Sequence, residues 1–275
     1  MLYAVKDWDN AYANGPNIAG GERWPGLWVA PAEAYRKELA GQGRAKLDIA
    51  YGAHERQRLD LFLPEGTPKG LVVFVHGGYW MRLDKSLWSH LAQGPIARGH
   101  AVAMPSYRLC PEVGLADISA DVAQAIARAM DQVGGPVALT GHSAGGHLVS
   151  RMICRGAPLP PERQARINSV VSISGLHDLR PLQRTAMNDT LHIDDATALK
   201  ESPALLLPVD GARVTAWVGG AERNEFRRQA QLLANIWTGL GASTAYVEAP
   251  DRHHFDVIDD LADAESGLVG ALVGR

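Results

Sequence analysis

The chain has 275 residues, 46% hydrophobic and 21% charged, enough for one large core and with no need of a second domain. A net charge of −3 and a pI near 6.4 give no electrostatic footprint for nucleic acid or an anionic membrane. The start, MLYAVKDWDN, shows no basic segment followed by an apolar run, no stretch approaches a membrane span, and Cys110 and Cys154 are too few for a disulfide framework, so a soluble cytoplasmic protein is expected.

Residues 1–45 are rich in Gly, Pro and aromatics and read as an N-terminal arm with a short helix from Pro31 to Leu39, where proline suits the first turn. Its aromatics are expected to pack on a sheet, with Trp24 or Trp28 as the ones that could instead line a pocket. Leu47 to Tyr51 and Arg58 to Leu63 alternate apolar and polar, which predicts an antiparallel pair. Leu71 to Val75, LVVFV, is an unbroken apolar run of the kind buried on both faces of a parallel sheet.

From there strands and helices alternate. A helix is expected over Ser86–Ala97, a strand over His100–Met104, a helix over Leu115–Gln132, a strand over Val137–Thr140 and a helix to about Arg155. Strands follow at Ile167–Ser174, Arg213–Val218 and Thr244–Glu248, with helices at Asn224–Thr238 and Phe255–Val273. The order predicts a single domain over residues 1–275 with a mostly parallel, doubly wound sheet and an antiparallel edge. Residues 176–211 break the alternation and read as an insertion over the carboxyl ends of the strands, a candidate lid.

Gly141-His142-Ser143-Ala144-Gly145 is G-x-S-x-G, lying between a strand and a helix. The pattern alone is common, but a serine at such a turn is pushed into solvent, with glycines where a β-carbon would clash. Upstream, His76-Gly77-Gly78-Tyr79-Trp80 follows the LVVFV strand. A glycine loop there lets backbone N–H groups approach an oxyanion, and the expected donors are Gly78, Tyr79 and Ala144.

A serine nucleophile needs a base and the base an orienting carboxylate, in chain order Ser, acid, His for this arrangement. After RVTAWVGG the first acid is Glu222, with Glu225 one turn on. The base is His254 or His253, and Asp251 and Asp256 remain alternative orienting groups. His76, His142 and His147 read as packing or hydrogen-bonding residues, His177 and His192 lie in the insertion, and no metal-ligand spacing or cofactor motif is visible.

Taken together, HGGYW, GHSAGGHL, SGLHDLRPLQRTAMND and HHFDVI, in this order, resemble the arylformamidase (kynurenine formamidase) family of α/β-hydrolases, over about Tyr51 to Ile258. The resemblance implies an α/β-hydrolase fold, Ser143 as nucleophile, His254 as base, and Glu222 as acid where the family usually has Asp, with Asp251 in reserve. It also implies two-step acyl transfer from an aryl formamide such as N-formylkynurenine, without cofactor or metal, with Tyr79 and Trp80 stacked on the aryl ring. A carboxylesterase for short acyl esters is the alternative, and a non-catalytic binding protein on the same fold a remote one. The expected partner is a small-molecule substrate, with a homodimer left open.

Overall fold

A computed structural model of the chain describes residues 4–274. Eight strands, β1 (Ala45–Ala50), β2 (Arg58–Phe62), β3 (Leu71–Val75), β4 (Ala101–Pro105), β5 (Val137–His142), β6 (Ile167–Ile173), β7 (Arg213–Gly219) and β8 (Ser243–Ala249), form one sheet in the order β1-β2-β4-β3-β5-β6-β7-β8. β2 is antiparallel to both β1 and β4, and every other neighbouring pair is parallel. This is the α/β-hydrolase arrangement expected from the sequence, antiparallel edge included.

The helices are α1 (Trp8–Tyr12), α2 (Trp24–Gly41), α3 (Gln93–Ala97), α4 (Leu115–Gln132), α5 (Ala144–Arg151), α6 (Pro161–Gln164), α7 (Asn188–Leu191), α8 (Asp195–Glu201), α9 (Asn224–Gly239) and α10 (Gly267–Val273). Among the described residues no helix is long and apolar enough to cross a membrane. Strand periodicity divides the core into two layers. Leu71, Val73 and Val75 of β3 face one layer, closed by Ile118, Ile126, Leu148 and Leu233 of α4, α5 and α9. Val72 and Phe74 face the other, closed by Trp28 and Leu39 of α2 and Leu268 of α10. α4 illustrates the local cause: Leu115, Ile118, Val122, Ile126 and Ala129 recur at helical spacing as one buried stripe, and the Asp117 carboxylate accepts the Gly114 N–H at its start.

Four expected elements differ. The arm helix runs Trp24–Gly41 with Pro31 inside it, because the carbonyl that Pro31 leaves without a donor belongs to Leu27, itself exposed to water. The helix expected over Ser86–Ala97 begins as a tighter run, Lys85–Ala92, kinked at Trp88, before α3. The helix after Ser143 stops at Arg151 rather than continuing to about Arg155. The helix expected over Phe255–Val273 is two pieces, a turn at Asp259–Ala262 and α10, since the Ser266 hydroxyl accepts the Val269 N–H and starts a new helix.

The elbow between β5 and α5 is fixed by backbone contact. A β-carbon on Gly145 would stand 1.9 Å from the Val75 carbonyl oxygen, and one on Gly141 would stand 2.4 Å from the Gly145 carbonyl oxygen. Three buried histidines brace the surroundings. The His76 Nδ1–H donates to the Gly77 carbonyl at 2.7 Å with its ring stacked on Tyr107, and the His147 Nε2–H donates to the Glu201 carbonyl at 2.6 Å. His177 lies with its Nε2 3.3 Å from the Ser172 hydroxyl.

Gly145→Ala is expected to cost more than about 2 kcal/mol, because the atom it meets is backbone and a strand must shift; a urea melt unchanged from wild type would contradict the contact. Burial holds the imidazoles of His76 and His147 down to about 4 and that of His177 down to about 3. Between those values and the ordinary histidine pKa of about 6.5 the unfolded chain binds more protons, so their stabilisation is full above the unfolded value and is lost as pH falls through this window. Asp259, raised to about 6 chiefly by burial, works the opposite way over part of the same range, but it is one group against three. The melting temperature is expected to be at least about 5 °C lower at pH 5 than at pH 7; a flat profile would refute neutral burial of these histidines.

Candidate active site

Strand ends assemble the site. Ser143 follows β5 with φ 56 and ψ −115, a conformation that L-residues rarely adopt, and it is held there by its N–H, which donates to the Ile173 carbonyl of β6 at 2.8 Å. Ala144 heads α5, so its N–H belongs to the first turn, which lacks an intrahelical acceptor. Beside it, the loop after β3 turns through Gly78 at φ 113, Tyr79 at φ 53 and Trp80 at φ 58. Only glycine suits the first position, since a β-carbon there would lie 2.2 Å from the Arg82 carbonyl oxygen. The N–H groups of Gly78 and Tyr79 have no acceptor among the described residues. Gly78 and Tyr79 line the same cavity as Ser143, and Ala144 follows Ser143 directly, so these three backbone N–H groups are the candidates for oxyanion stabilisation.

The carboxylate comes from the turn after β7. Glu222 is buried, and its Oε2 accepts the Nδ1–H of His254 at 2.6 Å. Its Oε1 accepts the Ser174 hydroxyl at 2.5 Å and the Gly219 N–H at 2.8 Å. The latter bond curls the side chain back toward β7, which takes up the extra methylene that Glu has over Asp. With Nδ1–H committed to the carboxylate, His254 leaves Nε2 as the ring's basic nitrogen. Asp251 is exposed and, among the described residues, makes no hydrogen bond or ion pair with the imidazole, Asp256 accepts the His253 N–H, and Glu225 on α9 takes Arg228 and the Tyr12 hydroxyl. His253 stands edge-on to Trp24.

Ser143 and His254 open together onto a cavity of about 680 Å³, with no direct hydrogen bond between them among the described residues. His142, expected to pack or hydrogen-bond, does both: its Nε2–H donates to the His254 carbonyl at 2.8 Å and its ring lies 4.5 Å from the His254 ring, centroid to centroid. Burial and the neighbouring His254 keep His142 well below the ordinary histidine range, so it stays neutral.

The cavity walls redistribute the expected roles. Tyr79 lines the cavity, but its hydroxyl points into the arm, donating to the Tyr12 carbonyl at 2.7 Å. Trp80 does not line it: the loop turns through three successive positive φ angles and this indole is completely buried, edge-on to His147. Its place is taken by Trp28 and Trp88, with Phe255 beside them, so of the two arm tryptophans expected as pocket candidates it is Trp28 and not Trp24 that reaches the cavity. The insertion at 176–211 contributes only Ala186 and Met187 to the lining, because Leu176, Leu179, Leu182, Leu191 and Ile193 anchor it in the core. The cover comes instead from the arm, through Tyr12, Asn14, Pro16, Pro25 and Trp28. Sequence reasoning missed Ser174 and Asn14. Ser174 directly follows β6, the neighbour of β7, and strand order alone would have placed it against the acid; Asn14, in an irregular stretch, carried no signal.

The family model BD-FAE matches residues 59–206, more than half of the chain. The kynurenine formamidase of Danio rerio is 27% identical over 226 residues, covering 79% of this chain and 77% of that one. The kynurenine formamidase of Drosophila melanogaster is 26% identical over 270 residues, covering 92% and 88%. A crystal structure from Silicibacter sp., provisionally described as a thioesterase, superposes with a TM-score of 0.92 at 50% identity, covering 97% of this chain and 98% of that one. The chain therefore belongs to the BD-FAE family of α/β-hydrolases, and it is a hydrolase with kynurenine formamidases among its relatives.

Proposed function

We propose that the protein is an arylformamidase that works by two-step acyl transfer on Ser143. The observation that carries this reading is the meeting of Ser143 and the Glu222-bound His254 on one cavity walled by Trp28, Trp88 and Phe255, a slot for a flat aryl group. His254 Nε2 takes the Ser143 proton as the oxygen attacks the formyl carbon, and the N–H groups of Gly78, Tyr79 and Ala144 receive the charge that forms on the carbonyl oxygen. The imidazolium is stabilised by Glu222 across the 2.6 Å hydrogen bond. It then returns the proton to the leaving arylamine as the C–N bond breaks. Water, deprotonated by the same nitrogen, attacks the formyl-serine, releases formate and restores the hydroxyl. The similarity to two kynurenine formamidases over most of the chain supports the formamide as substrate.

A second reading, an ester or thioester hydrolase, is favoured by the 50% identical Silicibacter relative with its thioesterase description. The two separate in one assay, N-formylkynurenine beside 4-nitrophenyl acetate with wild type and Ser143→Ala. Preference for the formamide, abolished in the variant, is expected; serine-dependent ester turnover without formamide turnover would replace the first reading by the second.

Glu222→Gln keeps the side chain's length and removes its charge, and it is expected to lower kcat by about 10³-fold or more, whereas Asp251→Asn stays within about two-fold of wild type. Steady-state kinetics with the reverse pattern would move the acid to Asp251.

A further inference from the structure

The arm carries an acceptor that the catalytic apparatus does not use. Asn14 is 2% exposed and lies on the cavity wall, and its Nδ2 donates to the Tyr79 hydroxyl at 2.9 Å. The orientation of that carboxamide follows from proton counting. A tyrosine hydroxyl has one proton, and Tyr79 gives it to the Tyr12 carbonyl at 2.7 Å, so toward Asn14 it can only accept. Asn14 must therefore present its NH₂ to Tyr79, and its Oδ1 is left buried with no partner among the described residues. Burial pushes the Tyr79 phenol up, so the proton that fixes this arrangement is retained. An unpaired amide oxygen in a buried position is costly, and on a cavity wall its natural complement is a donor on the bound ligand.

We infer that Asn14 is a specificity residue whose Oδ1 accepts a hydrogen bond from an N–H of the substrate's nitrogen-bearing leaving group. This rests on the amide-hydrolysis reading and extends it: a site holding such an acceptor prefers a formamide, which carries an N–H, over the formate ester with oxygen in its place, which leaves the acceptor unpaired. Two N–H sources share this chemistry, the scissile amide itself and an ammonium farther out on the leaving group. Formanilide has only the first, N-formylkynurenine has both, and phenyl formate has neither.

The test measures kcat/KM of the full chain on these three substrates, for wild type, Asn14→Ala and Asn14→Asp. Asn14→Ala is expected to lower formamide turnover about ten-fold or more beyond its effect on phenyl formate, one lost hydrogen bond's worth of discrimination. Asn14→Asp, whose buried carboxyl in its protonated form gives the Tyr79 hydroxyl a donor and keeps an acceptor on its other oxygen, retains the wild-type ratio of formamide to ester. A loss on both formanilide and N-formylkynurenine assigns the scissile N–H, and one confined to N-formylkynurenine assigns the ammonium. Equal losses on all three substrates would overturn the inference and reduce Asn14 to a brace for the arm, and turnover of phenyl formate shows that each variant is folded. Absence of Ser143-dependent formamide turnover in wild type would remove the underlying reading as well, and it is visible before any Asn14 variant is compared.

Discussion

The contact on which the site depends is the approach of Gly145 to the end of β3, where a β-carbon would stand 1.9 Å from the Val75 carbonyl oxygen. It presses the start of α5 against the very residue from which the Gly77-Gly78 loop departs. The proposed nucleophile and its proposed oxyanion donors are therefore placed by one piece of packing rather than by two independent loops. Holding Ser143 at positive φ costs on the order of 1–3 kcal/mol, a strain borne by the surrounding β3–β5–β6 sheet, whose strands are buried here on both faces. The reward is positional, because a serine on so sharp a turn stands clear of its own backbone.

Hydrogen-bond partners then decide what each histidine can do. His76, His142 and His147 each donate one ring N–H to a backbone carbonyl, in surroundings too dry for a positive charge, and all three are held below the ordinary histidine range by burial. His254 alone among the histidines lining the cavity donates to a carboxylate, so a proton taken up on Nε2 meets a compensating charge. Glu222 in turn is tolerated in a buried position because three donors, from Ser174, Gly219 and His254, satisfy its two oxygens.

The sheet was legible in the sequence because its signals are local: LVVFV reads as a doubly buried strand, and the strand-helix alternation after it allows few topologies. Gly141, Ser143 and Gly145 were legible for a similar reason, each being required by a single sharp turn. What failed depended on long-range packing. HGGYW offers two adjacent aromatics, and nothing in the pentapeptide tells that Tyr79 reaches the cavity while Trp80 turns into the core, since this follows from successive positive φ angles. The insertion at 176–211 looked like a cover because it interrupts a regular pattern, yet its leucines bind it to the core, and the cover comes from an arm nearly the whole chain away from His254. Asn14 lay beyond sequence reading altogether, for its meaning comes from the direction of one tyrosine proton.

Reaction with an aryl phosphonofluoridate followed by peptide mass mapping tests most directly whether this assembly activates Ser143. Attack on phosphorus with loss of fluoride needs both the base and the oxyanion donors. The expected result is one phosphonyl adduct per chain, on the peptide carrying Ser143, with the buried hydroxyls of Ser150, Ser172 and Ser174 untouched. An unmodified chain, or an adduct on any other serine, would contradict the assignment of Ser143 as the nucleophile.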